Sequence, residues 1–438
     1  MSPRDKDTDS VLAAWARRRL TRRQVVVGLV GLGLGVPMAS ALLAACSSPP
    51  AAPTQPAATS GAAAAPTQAA AAQPTPAAAP TQAAAAPTTT AVATSQAGAA
   101  KEYFFDFANI LESGELFKQF GDGVESAAKV AGVKVKRYNN NNDGPTTLNN
   151  ARLMIQDKPD LILEYTGVEG IGESLKKMFN DAKIPFIAIN IPIPGGYWFN
   201  LVNKDIGTDT ANVVVPMAKA KGWTGNDTTV LIVQGSQYGT EVNDCVRYFY
   251  VTVAKNMDGM DQVDPSAITA LTTTIGKSGI QVDGKATLEN SYTAVKNALQ
   301  TLPPDRHILL YSINDDSTLG SWRAITESKR ENNTLVAGLG GSVAALKELR
   351  TNPQWVAEGS VFSTHWGQYL IAMGVAIMNG VTPPPLTKSP QAVLTKETVD
   401  KYYDADGKVK LLPPLVAENM YLKDTGVLQK FKNVEGLQ

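Results

Sequence analysis

From Lys101 onward, short apolar runs alternate with longer segments whose apolar residues recur every three or four positions. "YFFDFA" at 103–108 predicts a strand. Residues 114–131 predict a helix, with Leu116, Phe117, Phe120, Val124, Ala127 and Ala131 at helical spacing. "VKVKRY" (133–138) predicts a strand, Asn139–Gly144 a polar turn and 145–157 a helix. "DLILEY" (160–165), a helix over 170–182 and "PFIAIN" (185–190) complete a first series. A second runs through "TVLIVQG" (229–235), helix 240–256, "AITALTT" (267–273), helix 287–300, "HILLYSI" (307–313), helix 317–329 and "TLVAGLG" (334–340). Strand–helix steps with short connections predict parallel sheets, and two such series predict two α/β lobes, crossed near Asn203 and again near Ser363. Ligands of open parallel sheets lie beyond the carboxyl ends of the strands. Tyr165, Asn190, Gln237, Asn314 and Gly340 are the positions to watch.

The chain before Lys101 follows other rules. Residues 47–100 are Ala, Pro, Thr, Gln, Ser, Gly and one Val, uncharged, with "PTQ" recurring at 53, 66 and 80. Such a segment cannot bury enough apolar area to offset its ordering entropy, and is expected to be a disordered tether. Residues 1–46 have the layout of an export signal: basic Arg17–Arg23, an apolar run Val25–Val36, then Pro37. Leu43-Ala44-Ala45-Cys46 resembles the bacterial lipobox, which implies a lipid on Cys46 as the new N-terminus. Thr21-Arg22-Arg23 resembles a twin-arginine signal, although Gln24-Val25-Val26 lacks its Phe-Leu continuation, so the export route stays open. An uncleaved membrane helix is the competing reading; Pro37 and glycines at 28, 31, 33 and 35 weigh against it.

Charge and cysteine usage narrow the function. Residues 1–46 sum to +4 and 47–100 to zero, so 101–438 carries −4, which argues against nucleic-acid binding. Cys245 is the one cysteine after Cys46, so no intramolecular disulfide or cysteine metal site is available to the mature domain. Two histidines exclude a His-rich zinc site, and no cofactor is expected. GxSxG, HExxH and Walker lysine motifs are absent, and Asp315 and Asp316 are adjacent and point apart. An enzyme is not expected.

"LESGELFKQFGDGVESAAKVAG", "KPDLILEYTGVEGIGESLKKMFNDAKIPFIAIN", "INDDSTLGSWRAI" and "VAGLGG" together resemble the type I periplasmic substrate-binding proteins, notably the ribose and sugar group serving ABC importers. The likeness spans about 101 to 395. It implies an α/β fold of two Rossmann-like lobes with parallel sheets, joined by a three-crossover hinge. The lobes implied are 101–204 plus about 364–395, and 205–363 plus part of 396–438. It also implies a monomer that closes on a small carbohydrate-like ligand and delivers it to an ABC permease. A lipoprotein that senses the ligand and signals to a membrane receptor is the alternative.

Carried over residue by residue, the family's pocket is partly kept. Phe117 matches one of two aromatics after the first strand, and Leu116 replaces the other. Tyr165 stands for an asparagine, Asn190 for the sugar-binding aspartate and Ile191 for the arginine after it. Arg247, in Asn243–Val251, matches the guanidinium that forks onto hydroxyls. Asn314 matches the asparagine of the family's "ND", while Gly340 replaces the aspartate of "GFDG". A residue near Ser363 stands for the hinge glutamine. Sugar pockets stack C–H faces on aromatics and pair planar side chains with vicinal hydroxyls, so these exchanges imply a changed ligand. Asp315 and Asp316 are expected to cap the helix, leaving Asn314 for the ligand. Trp366, at the crossover in "STHWGQ", is a further pocket candidate; His365 beside it reads as structural. Tyr197, Trp198 and Phe199 either stack on a ligand or seal the underside of a loop.

Overall fold

The computed structural model describes residues 102–438 apart from 114 and 169. The expected export signal (1–46), lipidated Cys46 and tether (47–100) lie outside the described residues. Alternating apolar runs fold as read into β1 (Phe104–Asn109), α1 (Glu115–Ala131), β2 (Lys134–Asn139), α2 (Gly144–Asp157), β3 (Leu161–Thr166), α3 (Gly172–Ala182), β4 (Phe186–Asn190) and β5 (Tyr197–Asn200). Phe120, Val124 and Ala127 form the buried stripe of α1. Asp143 caps α2, its Oδ2 accepting the Thr146 N–H, and the left-handed Lys158 ends it.

The second lobe holds α4 (Asn203–Ala220), β6 (Thr228–Gln234), α5 (Gly239–Asn256), β7 (Thr274–Ile275), β8 (Gly279–Asp283) and α6 (Leu288–Leu299). It continues with β9 (His307–Ser312), α7 (Asp315–Glu327), β10 (Thr334–Gly340), α8 (Val343–Thr351) and β11 (Trp355–Ser360). The chain then forms α9 (Trp366–Met378), β12 (Thr387–Lys388), β13 (Ala392–Leu394) and α10 (Val399–Tyr402). Among the described residues the strands make two sheets, ordered β12-β5-β4-β3-β1-β2 and β13-β11-β10-β9-β6-β8-β7. Pairing is parallel except at β7 and β13, the edges of the second sheet. The α/β fold of two parallel-sheet lobes is as the pattern implied.

The chain passes between the sheets after β5, after β11 and between β12 and β13. Residues 392–394 were expected in the first lobe, but β13 pairs with β11 of the second. The final segment touches both lobes. Arg350 of α8 binds Asp400 at 2.9 Å and the Asp404 carbonyl at 2.8 Å. Farther on, Asn419 brackets the backbone of Lys388, and Tyr421 bonds Thr387 at 2.7 Å.

Two local expectations need correcting. Residues 267–273 are not a strand: Leu271 is 91% exposed, and the buried amides of Gln234 and Gln281 bind the carbonyls of Thr269, Ala270 and Thr272. Those side chains do what a strand neighbour would do, and β8 takes the place in the sheet. The Tyr197–Phe199 run is strand β5, not a loop seal. Phe199 goes into the core, and Trp198 donates Nε1–H to the Asn190 carbonyl at 2.9 Å.

Candidate functional site

At the carboxyl edge of the first sheet, β3 and β4 pair Tyr165 with Ile189 and Thr166 with Asn190. Asn190 has φ 69°, a left-handed conformation that asparagine tolerates better than most residues. Its half-buried side chain makes no hydrogen bond among the described residues. Phe117 is also half-buried, and its carbonyl accepts from Asn109 Nδ2 at 3.0 Å, tying the start of α1 to the end of β1.

Tyr165 sits edge-on to Phe120, ring centroids 5.2 Å apart. Burial raises its phenol, and Tyr238 of the second lobe adds to the shift, so the two phenols lie within electrostatic reach of each other. Sequence reasoning missed Tyr238, the last residue of the short turn Ser236–Tyr238 after β6; it is 36% exposed.

A buried polar layer supports Tyr165. Asn140 Nδ2 donates to Glu164 Oε1 at 2.7 Å and to the Tyr165 carbonyl at 3.0 Å, while Asn150 donates to Asn140 Oδ1 at 3.0 Å. Burial pushes the Glu164 carboxyl up to about 8, with the Asn140 bond pulling the other way. Glu164 is therefore a neutral acid near pH 7. The signal was present as a charged residue within an otherwise apolar strand.

In the second lobe, Arg247 lies in the third turn of α5 and forms an ion pair with Asp244. Its Nε–H is buried without an acceptor, and the side chain lines a cavity of about 70 Å³ with Gln234, Asn243 and Gln281. Asn243 is fully engaged in shaping that loop. Its Oδ1 accepts the Gly235 N–H at 2.9 Å, and its Nδ2 donates to the Gly235 and Gly239 carbonyls.

Asn314, not Asp315 or Asp316, caps α7. Its Oδ1 accepts the Ser317 N–H at 2.9 Å, and Nδ2 donates to the Ala286 carbonyl at 3.1 Å. One Nδ2 hydrogen and one Oδ1 lone pair remain for anything else. Asp315 turns inward: Oδ2 accepts the Ser342 N–H at 2.6 Å, and the residue is 7% exposed. It lies against Glu358, whose oxygens accept from the Gly341 N–H and from Trp355 Nε1. Burial first, then the Asp315 charge, raises the Glu358 carboxyl well above its ordinary range.

Trp366 does not join the site. It is 5% exposed, packs edge-on against Phe120 and Phe199, and gives its Nε1–H to the Val361 carbonyl at 2.6 Å. This expected pocket candidate thus lies among the core side chains under the crossover. The structure thus places Phe117, Tyr165 and Asn190 on one lobe, and Arg247 and Asn314 on the other. A wider concavity of about 440 Å³ borders β2 and involves none of them; there Arg137 pairs with Glu112, Asp122 and Glu125.

Residues 105–381 match the model of the periplasmic binding protein domain. The chain belongs to that family. No curated protein matches the sequence. Among solved structures, this binding protein is similar to an ABC transporter solute binding protein from Bacillus halodurans C-125 with bound myo-inositol. Identity is 16% and the TM-score 0.56, covering 70% of this chain and 98% of that one. A solute binding protein from Actinobacillus succinogenes 130z with bound D-allose has 15% identity and a TM-score of 0.55, covering 69% and 100%. A periplasmic ribose ABC transporter protein from Conexibacter woesei DSM 14684 has 19% identity and a TM-score of 0.55, covering 68% and 94%. At these identities the likeness establishes the fold, the type I form of the periplasmic binding proteins. Membership implies solute binding rather than enzymatic turnover, in an extracytoplasmic setting.

Proposed function

We propose that this binding protein captures a small, mostly neutral sugar or sugar-like molecule between its lobes and delivers it to an ABC import permease. Phe117 and Tyr165 pack on the ligand, and Asn190, Arg247 and Asn314 bond its hydroxyls. A ligand touching both lobes stabilises the closed arrangement, which the permease reads. Export and a lipid on Cys46 hold the protein at the membrane surface, with 47–100 as tether. Supporting this reading are aromatic and amide side chains near the carboxyl edge of the first sheet, and a part-buried guanidinium and an amide carried by the second lobe. The myo-inositol, D-allose and ribose named for the similar structures favour a polyhydroxylated ligand. Gly340 and Ile191 carry no polar side chain, so a pentose finds fewer partners here than in the family pattern. The test is the double variant Arg247→Ala, Asn314→Ala against ribose, allose and myo-inositol: affinity must fall, and unchanged affinity overturns the assignment.

A further inference from the structure

Asn200, the last residue of β5, is fully buried, and its Nδ2 donates to Glu241 Oε1 at 2.9 Å. The bond joins the lobes: Asn200 ends the first sheet where the chain leaves it, and Glu241 lies in the first turn of α5. Arg247, six residues farther along the helix, lies within electrostatic reach of Glu241, and its positive charge favours the ionised carboxylate. Burial opposes ionisation more strongly, so the carboxyl sits above its ordinary range and depends on both partners. The crossing itself is braced: Ser389 N donates to the Asn200 carbonyl at 2.8 Å, and Val202 N to Gln391 Oε1 at 3.0 Å.

We propose that Asn200 and Glu241 form a closure latch, a part-buried side-chain bond that ties the end of the first sheet to the first turn of α5 in the second lobe. Neither residue is assigned a ligand contact. The pair sets how far the lobes close, while Arg247 is held within its own helix by Asp244. The idea rests on the hinge-closing function proposed above, but its test needs no sugar.

Spin labels at Lys158→Cys and Lys329→Cys, both at exposed positions on opposite lobes, report lobe separation in the full chain with Cys46→Ser; Cys245 is buried. Asn200→Asp at pH 8 sets two carboxylates against each other and is expected to lower the closed-to-open ratio about tenfold. Adding Glu241→Gln makes the amide the donor and the carboxylate the acceptor, and is expected to restore the parent distances. Circular dichroism melting of each variant separates opening from unfolding. Parent-like distances in Asn200→Asp, or a double variant that stays as open as the single one, overturn the latch. Failure of every sugar to bind would count against the proposed function while leaving the distance result to judge the latch.

Discussion

The carboxylate of Asp315 fills the space over Gly340: a Cβ at position 340 would lie 2.5 Å from Asp315 Oδ2. The aspartate that the family resemblance places at 340 is missing, and a carboxylate from the neighbouring strand end stands beside the vacated position. Gly340 also has φ 151°, a conformation that side chains rarely adopt.

Gly340→Ala is therefore expected to destabilise the fold by about 2 kcal/mol or more, from backbone strain and overpacking together. Denaturant titration measures it. In an Asp315→Ala background the steric part disappears, so the same substitution costs less there. Equal costs in both backgrounds would contradict the packing account.

Asn314 has a structural role separable from any ligand. Asn314→Ala removes the cap of α7 and is expected to cost about 1 kcal/mol. Asn314→Ser keeps an oxygen for the Ser317 N–H and recovers most of it, while still lacking the amide donor. A Ser variant that is stable but weak in sugar binding assigns both roles; one as unstable as Ala denies the cap.

Glu164 makes stability depend on pH with a definite sign. Its folded carboxyl holds a proton up to about 8, against an ordinary 4.5. The folded state keeps the proton while the unfolded state sheds it. This contribution is fully present below about 4.5 and is lost as pH rises through about 8. Urea titrations from pH 5 to 9 are expected to show a steeper fall for the parent than for Glu164→Gln. Parallel profiles would mean that Glu164 is ionised in the fold.

Trp366→Ala is expected to cost about 3–5 kcal/mol, the range for emptying a buried aromatic site. Trp366→Phe retains the edge contacts with Phe120 and Phe199 and loses the bond to the Val361 carbonyl. It is expected to cost less and to leave sugar affinity near the parent's. A large loss of affinity without loss of stability would return Trp366 to the pocket.

The order of elements was legible because apolar period and turn composition decide it locally. Helix α1, for example, needed only Phe120, Val124 and Ala127 on one face. The misread strand at 267–273 shows the limit: its carbonyls bond Gln234 and Gln281, which no local pattern announces. Trp366 looked like a pocket residue from its place at a crossing, but Phe199 of an unrecognised strand covers it. The Asn314 cap was misassigned because asparagine and aspartate serve equally well at that position, and only the inward turn of Asp315 separates them. The Asn200–Glu241 bond spans 41 positions and both lobes, so nothing in sequence spacing points to it.

Calorimetric titration of the full chain with the ribose, allose and myo-inositol panel, widened to other pentoses and hexoses, tests the central claim most directly. The account predicts saturable one-to-one binding of at least one compound, on the order of micromolar. It also predicts that the compound is recovered unchanged and that affinity falls in the Arg247→Ala, Asn314→Ala variant. No heat from any compound at millimolar concentration, or chemical conversion of the one that binds, would contradict it.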